Sequence, residues 1–280
     1  MKMQALVSTE WLAERLDEPD IRIADASWYL PQAGRDAKVE YAAAHIPGAV
    51  FFDIEDLSDE TSPYPHMLAP PTKFAARMSA LGLGSSETIV VYDGAGLFSS
   101  ARAWWMLRAM GHKYVFVLDG GLPKWRREGR KVEGTPSHPI PREFTPHPDR
   151  GIVRDFAQVM VNLRSRAEQV VDARGAPRFT AAEREPRAGV RGGHIPGSIN
   201  VPYSRLINAD GTLKSVETLR MLFAEKHVDL SAPLVTSCGS GVTAALAMLA
   251  LQTAGARSVA LYDGSWAEWG ARPEAPVETG

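Results

Sequence analysis

The sequence predicts an α/β protein of two tandem domains, each a doubly wound parallel sheet with helices on both faces. Two observations lead to this prediction. Short apolar runs alternate with longer helical patterns, and the sequence repeats itself at a nearly constant offset. Strands that alternate with helices imply a parallel sheet whose faces the helices cover. A length of 280 residues is ample for two domains of ordinary size.

The repeat consists of three short motifs that occur twice in the same order. The segments His45–Gly48, Asp25–Ala26 and Asp119–Gly120 return as His194–Gly197, Asp172–Ala173 and Asp263–Gly264, at offsets of 149, 147 and 144 residues. Such self-similarity at one period indicates repeated structural units. The chain is therefore predicted to be a tandem duplication.

A proline-rich stretch separates the two copies. Residues 134–150 contain five prolines, which exclude both a helix and a central strand and favour an extended linker. The first domain is therefore predicted at residues 1–133 and the second at 151–280.

The same types of element are predicted in each copy. Apolar runs of four or five residues read as buried strands, and longer stretches with apolar residues three or four apart read as helices. The predicted strands are Ile21–Asp25, Ile89–Tyr92, Val115–Leu118, Gln169–Asp172, Leu234–Ser237 and Ser258–Tyr262, and the predicted helices are Thr72–Leu81, Ser100–Met110, Val216–Lys226 and Val242–Thr253. Ligands bind such sheets at the carboxyl ends of the strands.

Composition excludes several classes of function. A net charge of −2 argues against a nucleic-acid partner, and no apolar run is long enough to cross a membrane. The N-terminal stretch contains acidic residues early and lacks an apolar core of signal-peptide length. The single cysteine cannot form an internal disulfide, which indicates a cytoplasmic protein, and no Cys/His cluster has metal-ligand spacing.

That single cysteine, Cys238, is the candidate nucleophile. It stands between a predicted strand and a predicted helix, where the unpaired amides of the helix N-terminus favour a thiolate. Gly239 and Gly241 allow the backbone through Val242 and Thr243 to form an anion-binding nest. The alternative is a buried, inert thiol.

The other copy places an aspartate where the nucleophile would stand. Asp93 aligns with Cys238 at an offset of 145 residues and is followed by a similar glycine-containing loop. The first domain is therefore predicted to be non-catalytic.

The string CGSGVTA, the two His-Ile-Pro-Gly turns, the segment LYDGSWAEW and the duplication resemble the rhodanese superfamily of sulfurtransferases. Within it, the cysteine loop resembles that of the 3-mercaptopyruvate sulfurtransferases. The resemblance implies that sulfur moves from 3-mercaptopyruvate, through a persulfide on Cys238, to a thiol acceptor such as thioredoxin or to cyanide. Pyruvate is released, and the reaction requires neither a metal nor an organic cofactor.

The resemblance also implies further site residues. Arg178 and Arg187 match the arginines that bind the donor, and a guanidinium is well suited to a carboxylate. Ser240 and His66 match two members of a proton relay. The acid of that relay is either Glu55 or Asp53.

The sequence bears on three other functions. Thiosulfate sulfurtransferases carry basic residues after the cysteine, where this chain has Gly239 and Ser240. A cysteine phosphatase needs an arginine six positions after the nucleophile, where this chain has Ala244. A catalytically silent sulfur carrier or binding module stays open.

Other polar residues near these motifs are predicted to have structural or solvent-exposed roles. His45 and His194 open the duplicated turns and are therefore predicted to be structural. Arg174, Arg184 and Arg191 are expected to be solvated loop residues.

Overall fold

The computed structural model describes residues 5–134, 137 and 139–280, which form two compact units. The first unit runs to Asp59, resumes over Leu68–Asp149 and takes in Asn208–Leu213. The second comprises Glu60–Met67, Arg150–Ile207 and Lys214–Gly280. Each unit thus includes a short segment from the other half of the chain. The boundaries predicted from the sequence give each domain one continuous range and therefore do not include this exchange of short segments between the two halves of the chain.

The first unit alternates strands and helices along the chain. Its elements are β1 (Leu6–Val7), α1 (Thr9–Ala13), β2 (Ile21–Asp25), α2 (Ala37–Ala43), β3 (Val50–Phe51), α3 (Pro71–Ala80), β4 (Thr88–Tyr92), α4 (Ser100–Ala109), β5 (Val115–Leu118) and α5 (Gly121–Arg127). The three longer strands and both predicted helices lie within one residue of their predicted bounds.

The second unit repeats the series. Its elements are β6 (Val153–Arg154), α6 (Phe156–Ser165), β7 (Gln169–Asp172), α7 (Ala176–Phe179), β8 (Ile199–Asn200), α8 (Val216–Glu225), β9 (Leu234–Ser237), α9 (Val242–Ala254), β10 (Val259–Tyr262) and α10 (Ser265–Trp269). Short 3-10 turns at Pro31–Ala33, Arg150–Ile152 and Tyr203–Arg205 complete the described regular structure.

The two sheets have the same strand order, which confirms the predicted fold class. The first sheet runs β1-β5-β4-β2-β3 and the second β6-β10-β9-β7-β8, with every pair parallel. Asp25 lies opposite Tyr92 in the first sheet, and Asp172 lies opposite Ser237 in the second. The next residues along the chain, Asp93 and Cys238, therefore leave their sheets at equivalent carboxyl ends.

Burial of the central strands shows that both faces of the second sheet are covered. Every residue of β9 and β10 is buried, as a parallel sheet between layers of helices requires. Helix α9 is apolar on all sides, and ten consecutive residues from Val242 to Leu251 are buried. Over residues 5–134, 137 and 139–280, no helix combines the length and apolarity that a membrane span requires.

The predicted linker packs along the first unit where it is described. Thr135, Pro136 and His138 lie outside the described residues. Beyond them, the chain is extended, and the N–H of His147 donates to the carbonyl of Met110 at 2.8 Å. Phe144 is buried beside Phe74, with ring centroids 5.7 Å apart. The prolines exclude a helix, but the remaining backbone groups and this aromatic side chain bind the segment to the unit.

The duplicated His-Ile-Pro-Gly turns have the same contacts in both units. His45 stacks on Tyr41 and His194 stacks on Phe179, and each imidazole Nδ1 is hydrogen-bonded to the backbone oxygen of the residue on which it stacks. His45 also forms an antiparallel bridge with Glu133, and His194 forms one with Glu278. Both histidines therefore hold turns in place, as the repeat predicts.

Candidate active site

Cys238 lies at the carboxyl end of β9, and three residues separate it from the start of α9. Cys238 is only 2% exposed. Gly241 caps the helix with a φ of +81°, a left-handed conformation that glycine adopts without steric cost. The loop therefore turns sharply enough to bring the cysteine next to the helix N-terminus.

The start of α10 fixes the cysteine loop. The N–H of Trp266 donates to the carbonyl of Cys238 at 2.9 Å, and that of Ala267 donates to the carbonyl of Gly239 at 2.8 Å. The N–H of Cys238 itself donates to the Ser265 hydroxyl at 3.2 Å. The N–H and the carbonyl of Cys238 are thus both hydrogen-bonded to residues of one short helix.

The amides that follow the cysteine are left available for a ligand. Within the described part of the chain, none of the N–H groups of residues 239–243 has a protein acceptor. Residues 241–243 are also buried, so solvent has little access to their amides. Amides in this arrangement at a helix N-terminus form an anion-binding site. The loop is therefore suited to a thiolate or to the outer sulfur of a persulfide.

The equivalent loop of the first unit carries its own anion. The Asp93 carboxylate accepts N–H groups from Ala95, Phe98, Ser99 and Ser100 at 2.8 to 3.0 Å. Asp93 is fully buried. The amides at this strand–helix junction are therefore satisfied internally, in contrast to those that follow Cys238.

The two predicted donor-binding arginines converge beside the cysteine. A methyl group placed on the Cα of Gly239 would lie 3.2 Å from Nη2 of Arg178 and 3.8 Å from Nη1 of Arg187. Both residues are partly buried. The structure thus brings two guanidinium groups to the residue next to the candidate nucleophile, where they can bind an anionic donor.

Arg174 is not solvated, so that expectation was wrong for it, whereas Arg191 is exposed and also hydrogen-bonds to the backbone. Arg174 is 2% exposed and forms ion pairs with Asp172 and Glu185 at 2.7 and 2.8 Å. Burial alone would lower the pKa of the Arg174 guanidinium, but the two carboxylates outweigh burial and raise it. Arg191 donates to carbonyls of the C-terminal segment, including that of Arg272 at 2.6 Å. Both arginines bind local groups that the sequence pattern does not reveal.

Two predicted relay residues are in direct contact within the second unit. Nδ1 of His66 lies 2.8 Å from Oγ of Ser240, and both residues are buried. His66 has a φ of +61°, a left-handed conformation that is uncommon outside glycine and often marks functional sites. The histidine belongs to the segment Glu60–Met67, which the N-terminal half of the chain contributes to this unit.

The two candidate acids of the relay belong to the first unit. Oδ1 of Asp53 accepts the N–H groups of Glu55 and Asp56, and its Oδ2 pairs with Lys38 at 2.6 Å. Oε1 of Glu55 accepts the indole N–H of Trp28 at 2.8 Å. Asp53 therefore has a turn-capping role that engages both oxygens, and Glu55 is engaged by Trp28.

Two residues of the site are missing from the sequence prediction. Ser265 accepts the Cys238 N–H, and Glu185 lies buried between arginines of the donor-binding loop. The repeat contains a signal for the first, because Gly121 in the other copy stands where Ser265 stands here. The sequence contains no such signal for Glu185, because nothing around a charged loop residue indicates that its side chain is buried.

Among residues 5–134, 137 and 139–280, no group of three or more His, Cys, Asp or Glu side chains stands close enough to hold a metal ion.

Comparison with known proteins identifies both halves of the chain. The Rhodanese-like domain matches residues 8–128 and again residues 156–272. The chain is 47% identical to the 3-mercaptopyruvate sulfurtransferase of Homo sapiens over 285 residues, which covers 99% of this chain and 96% of the relative. It is also 45% identical to the thiosulfate sulfurtransferase of Cricetulus griseus over 283 residues, covering 99% and 94% of the two chains.

A solved structure agrees with the fold. The crystal structure of SseA from Escherichia coli, described as a 3-mercaptopyruvate sulfotransferase with the rhodanese fold, matches with a TM-score of 0.87 and 43% identity. The match covers 94% of this chain and 99% of SseA.

Proposed function

The chain belongs to the rhodanese family of sulfurtransferases, and on that premise we propose that Cys238 carries the sulfur as a persulfide. The protein is an enzyme that takes sulfur from 3-mercaptopyruvate and releases pyruvate. The observation that carries the residue assignment is the convergence of the cysteine loop and two arginines at Gly239. The first unit, with Asp93 in its loop, is proposed to do no sulfur chemistry.

The reaction has two half-reactions at one sulfur atom. The Cys238 thiolate attacks the sulfur of 3-mercaptopyruvate, so an S–S bond forms and the C–S bond of the donor breaks. The bonding pair stays on carbon as the enolate of pyruvate, which takes one proton to become pyruvate. An acceptor thiolate then attacks the outer sulfur, and Cys238 leaves as a thiolate. In the first half-reaction the two sulfurs are oxidised and the donor carbon is reduced; in the second the acceptor atom is oxidised and the Cys238 sulfur is reduced, so no external oxidant or reductant is needed.

The nest after Cys238 would act in both half-reactions. Its amides, from Gly239 to Thr243, have no protein acceptor in the described chain and can bind negative charge on either sulfur. Because the loop is fixed by α10 before the donor arrives, the amides need little reorganisation when charge develops. This preorganisation supports Cys238 as the nucleophile.

The arginine pair favours 3-mercaptopyruvate over thiosulfate. Two guanidinium groups can bind the planar carboxylate and neighbouring ketone of the donor in a two-point manner. A basic side chain at position 239 would have to share space with Arg178 and Arg187, and this chain has glycine there. Overall identity does not separate the donors, since relatives of both names lie at 47% and 45%. The loop residues therefore carry this distinction.

The contact between His66 and Ser240 supports a proton relay. Ser240 lies two residues after the nucleophile and would pass a proton to the departing enolate, while His66 replaces that proton at the serine oxygen. The acid of the relay is proposed to be Glu55, with Asp53 as the alternative, as the family resemblance implies.

The sulfur acceptor is proposed to be a small thiol or dithiol protein such as thioredoxin, or cyanide. Each is a nucleophile able to attack the outer sulfur of a persulfide. The protein is proposed to work in the cytosol, since its single cysteine must stay reduced to act.

Replacing the nucleophile tests the assignment. Cys238→Ser is expected to lower pyruvate release from 3-mercaptopyruvate by at least about a thousand-fold, because serine lacks a comparable nucleophile. Mass measurement of the wild-type protein after donor treatment should show one added sulfur atom. Because Cys238 is the only cysteine, the gain is assigned without mapping. Pyruvate release by the serine variant near the wild-type rate would contradict the proposal.

The same assays separate the alternative functions. Comparison of kcat/KM for 3-mercaptopyruvate and thiosulfate, with cyanide as the common acceptor, identifies the preferred donor. A higher value for thiosulfate would replace the donor proposed above. Addition of sulfur to Cys238 without catalytic pyruvate release would instead identify a sulfur carrier.

A further inference from the structure

Glu185 is a buried carboxylate to which the reaction above gives no role. Its side chain is 2% exposed, although it lies in an irregular loop between α7 and β8. Its Oε2 accepts Nη2 of Arg178 at 2.5 Å, and its Oε1 accepts Nε of the same arginine at 3.2 Å. This two-point contact fixes both the position and the plane of the Arg178 guanidinium.

Glu185 is itself fixed to the framework of the sheet. Its Oε1 also accepts Nη1 of Arg174 at 2.8 Å. Arg174 in turn is paired with Asp172 at the end of β7, donates to the carbonyl of Gly193, and lies 4.4 Å from the ring centroid of Trp266. The carboxylate is therefore a rigid connection between the sheet and the arginine.

This connection leaves part of Arg178 available for the donor. Nε and Nη2 are engaged by Glu185, whereas Nη1 has no partner within residues 5–134, 137 and 139–280. Nη1 lies 3.8 Å from the point where a methyl group on Gly239 would stand. A free arginine would have to give up much of its rotamer freedom to bind there. Glu185 removes that freedom before the donor arrives.

We propose that Glu185 is a positioning residue for the sulfur donor, acting by holding the Arg178 guanidinium beside Gly239. The inference rests on the proposed function in that Arg178 binds the carboxylate of the donor. Glu185 touches neither the donor nor the reacting sulfur. Its effect therefore appears in donor binding and depends on Arg178.

The primary test is Glu185→Gln, which keeps the shape of the side chain and removes its charge. The KM for 3-mercaptopyruvate is expected to rise by about ten-fold, because the bidentate charge-assisted contact is lost. The value of kcat should stay within about two-fold, since the nucleophile and the nest are untouched. Glu185→Asp, which restores the charge on a shorter side chain, should recover part of the affinity.

Glu168→Gln is the matched control. Glu168 makes a similar two-point contact with Arg154 in the same unit, on an arginine that has no part in the site. Both variants remove one carboxylate from a two-point arginine pair, so each should lower the thermal unfolding midpoint. Only Glu185→Gln should raise KM. Equal KM values for the two variants would overturn the proposal.

A double variant tests whether Glu185 acts through Arg178. In an Arg178→Ala background, the Glu185 carboxylate no longer orients a guanidinium and instead repels the donor carboxylate. Glu185→Gln should then leave KM unchanged or lower it. A rise by the same factor with and without Arg178 would overturn the proposal.

Binding of pyruvate, measured by calorimetry, separates this inference from the proposed function. Pyruvate has the same carboxylate and ketone as the donor, so Glu185→Gln should weaken its binding by a similar factor without any turnover. If Glu185→Gln weakens pyruvate binding but the wild-type protein releases no pyruvate from 3-mercaptopyruvate, the reaction is rejected and the role of Glu185 is kept. Unchanged binding would reject the role of Glu185 alone.

Discussion

At the scale of single residues, Ser265 shows how the two copies of the chain diverged. It has a φ of +48°, and its counterpart Gly121 has a φ of +52°. A residue with a side chain pays about 1–2 kcal/mol in this conformation, whereas glycine does not. The Ser265 hydroxyl accepts the N–H of Cys238 and donates to the carbonyl of Tyr262 at 2.9 Å. The strain is thus retained in the copy that has the nucleophile.

Two substitutions at Ser265 distinguish the effect of the backbone strain from the effect of the hydroxyl group. Ser265→Gly and Ser265→Ala should both lower pyruvate release by about ten-fold or more, because the Cys238 peptide loses an acceptor and shifts. The alanine variant should also be less stable than the glycine variant by about 1 kcal/mol, since alanine keeps the strain. Steady-state assays and urea unfolding measure the two effects. Full activity in the glycine variant would show that the hydroxyl is dispensable.

The candidate site was predictable only where position along the chain carries information. Cys238 stands at a strand–helix junction, and both features are visible as patterns. Ser265 could have been found by comparing the copies, because a serine replaces a glycine in a repeated motif. Glu185 could not, since its inward orientation depends on Arg174 and Arg178 and on no local preference of its own.

At the scale of elements, α9 and α8 have different relations to the core. Helix α9 is buried on all sides and has the nucleophile loop at its N-terminus, whereas α8 buries one side and exposes residues such as Met221, which is 66% exposed. Close packing around α9 therefore determines where the amides of the nest lie. Truncating a buried side chain of α9 should therefore reduce the free energy of unfolding more than truncating an exposed side chain of α8.

Leu249→Ala and Met221→Ala provide that comparison. Leu249 is fully buried in α9, so its truncation should reduce the free energy of unfolding by about 2–5 kcal/mol, which includes the cost of a cavity. The change at Met221 should stay within about 0.5 kcal/mol, because the side chain is exposed. Urea unfolding monitored by tryptophan fluorescence gives both values. Similar costs at the two positions would contradict the burial described for α9.

Prediction of elements from sequence worked best for long buried segments. The strands β2, β7 and β9 have their predicted bounds, because a run of apolar residues is a strong signal. The two-residue strands β1, β3, β6 and β8 were missed, since no periodicity can be read over two residues. Helix α6 was also missed, although Asp155 and Gln158 form a capping box that the sequence displays.

At the scale of the whole molecule, each unit includes one short segment from the other half of the chain. The first unit holds Asn208–Leu213, in part through Oδ1 of Asp119, which accepts the N–H of Leu213 at 2.8 Å. The second unit holds Glu60–Met67, in part through the contact of His66 with Ser240. The two segments occupy corresponding places in the duplicated halves. Each unit therefore holds a segment whose flanking residues belong to the other unit.

We expect this exchange to make thermal unfolding a single cooperative transition. Unfolding of one unit releases both flanks of the segment that the other unit holds, so keeping that segment in place costs more conformational entropy and a half-unfolded state should not accumulate. Differential scanning calorimetry should give one peak whose calorimetric and van't Hoff enthalpies agree. Two resolved transitions would show that the units unfold independently despite the exchange.

The Asp93 loop also has a consequence for inhibitor design. It shows how a carboxylate on a short side chain satisfies four amides at a strand–helix junction of this fold. The loop after Cys238 offers similar amides without a protein acceptor in the described chain. A small acid that reaches these amides and carries a thiol-reactive group for Cys238 would reproduce a contact that the protein already makes in its other half. The Asp93 loop is therefore a template for a compound that binds the loop after Cys238.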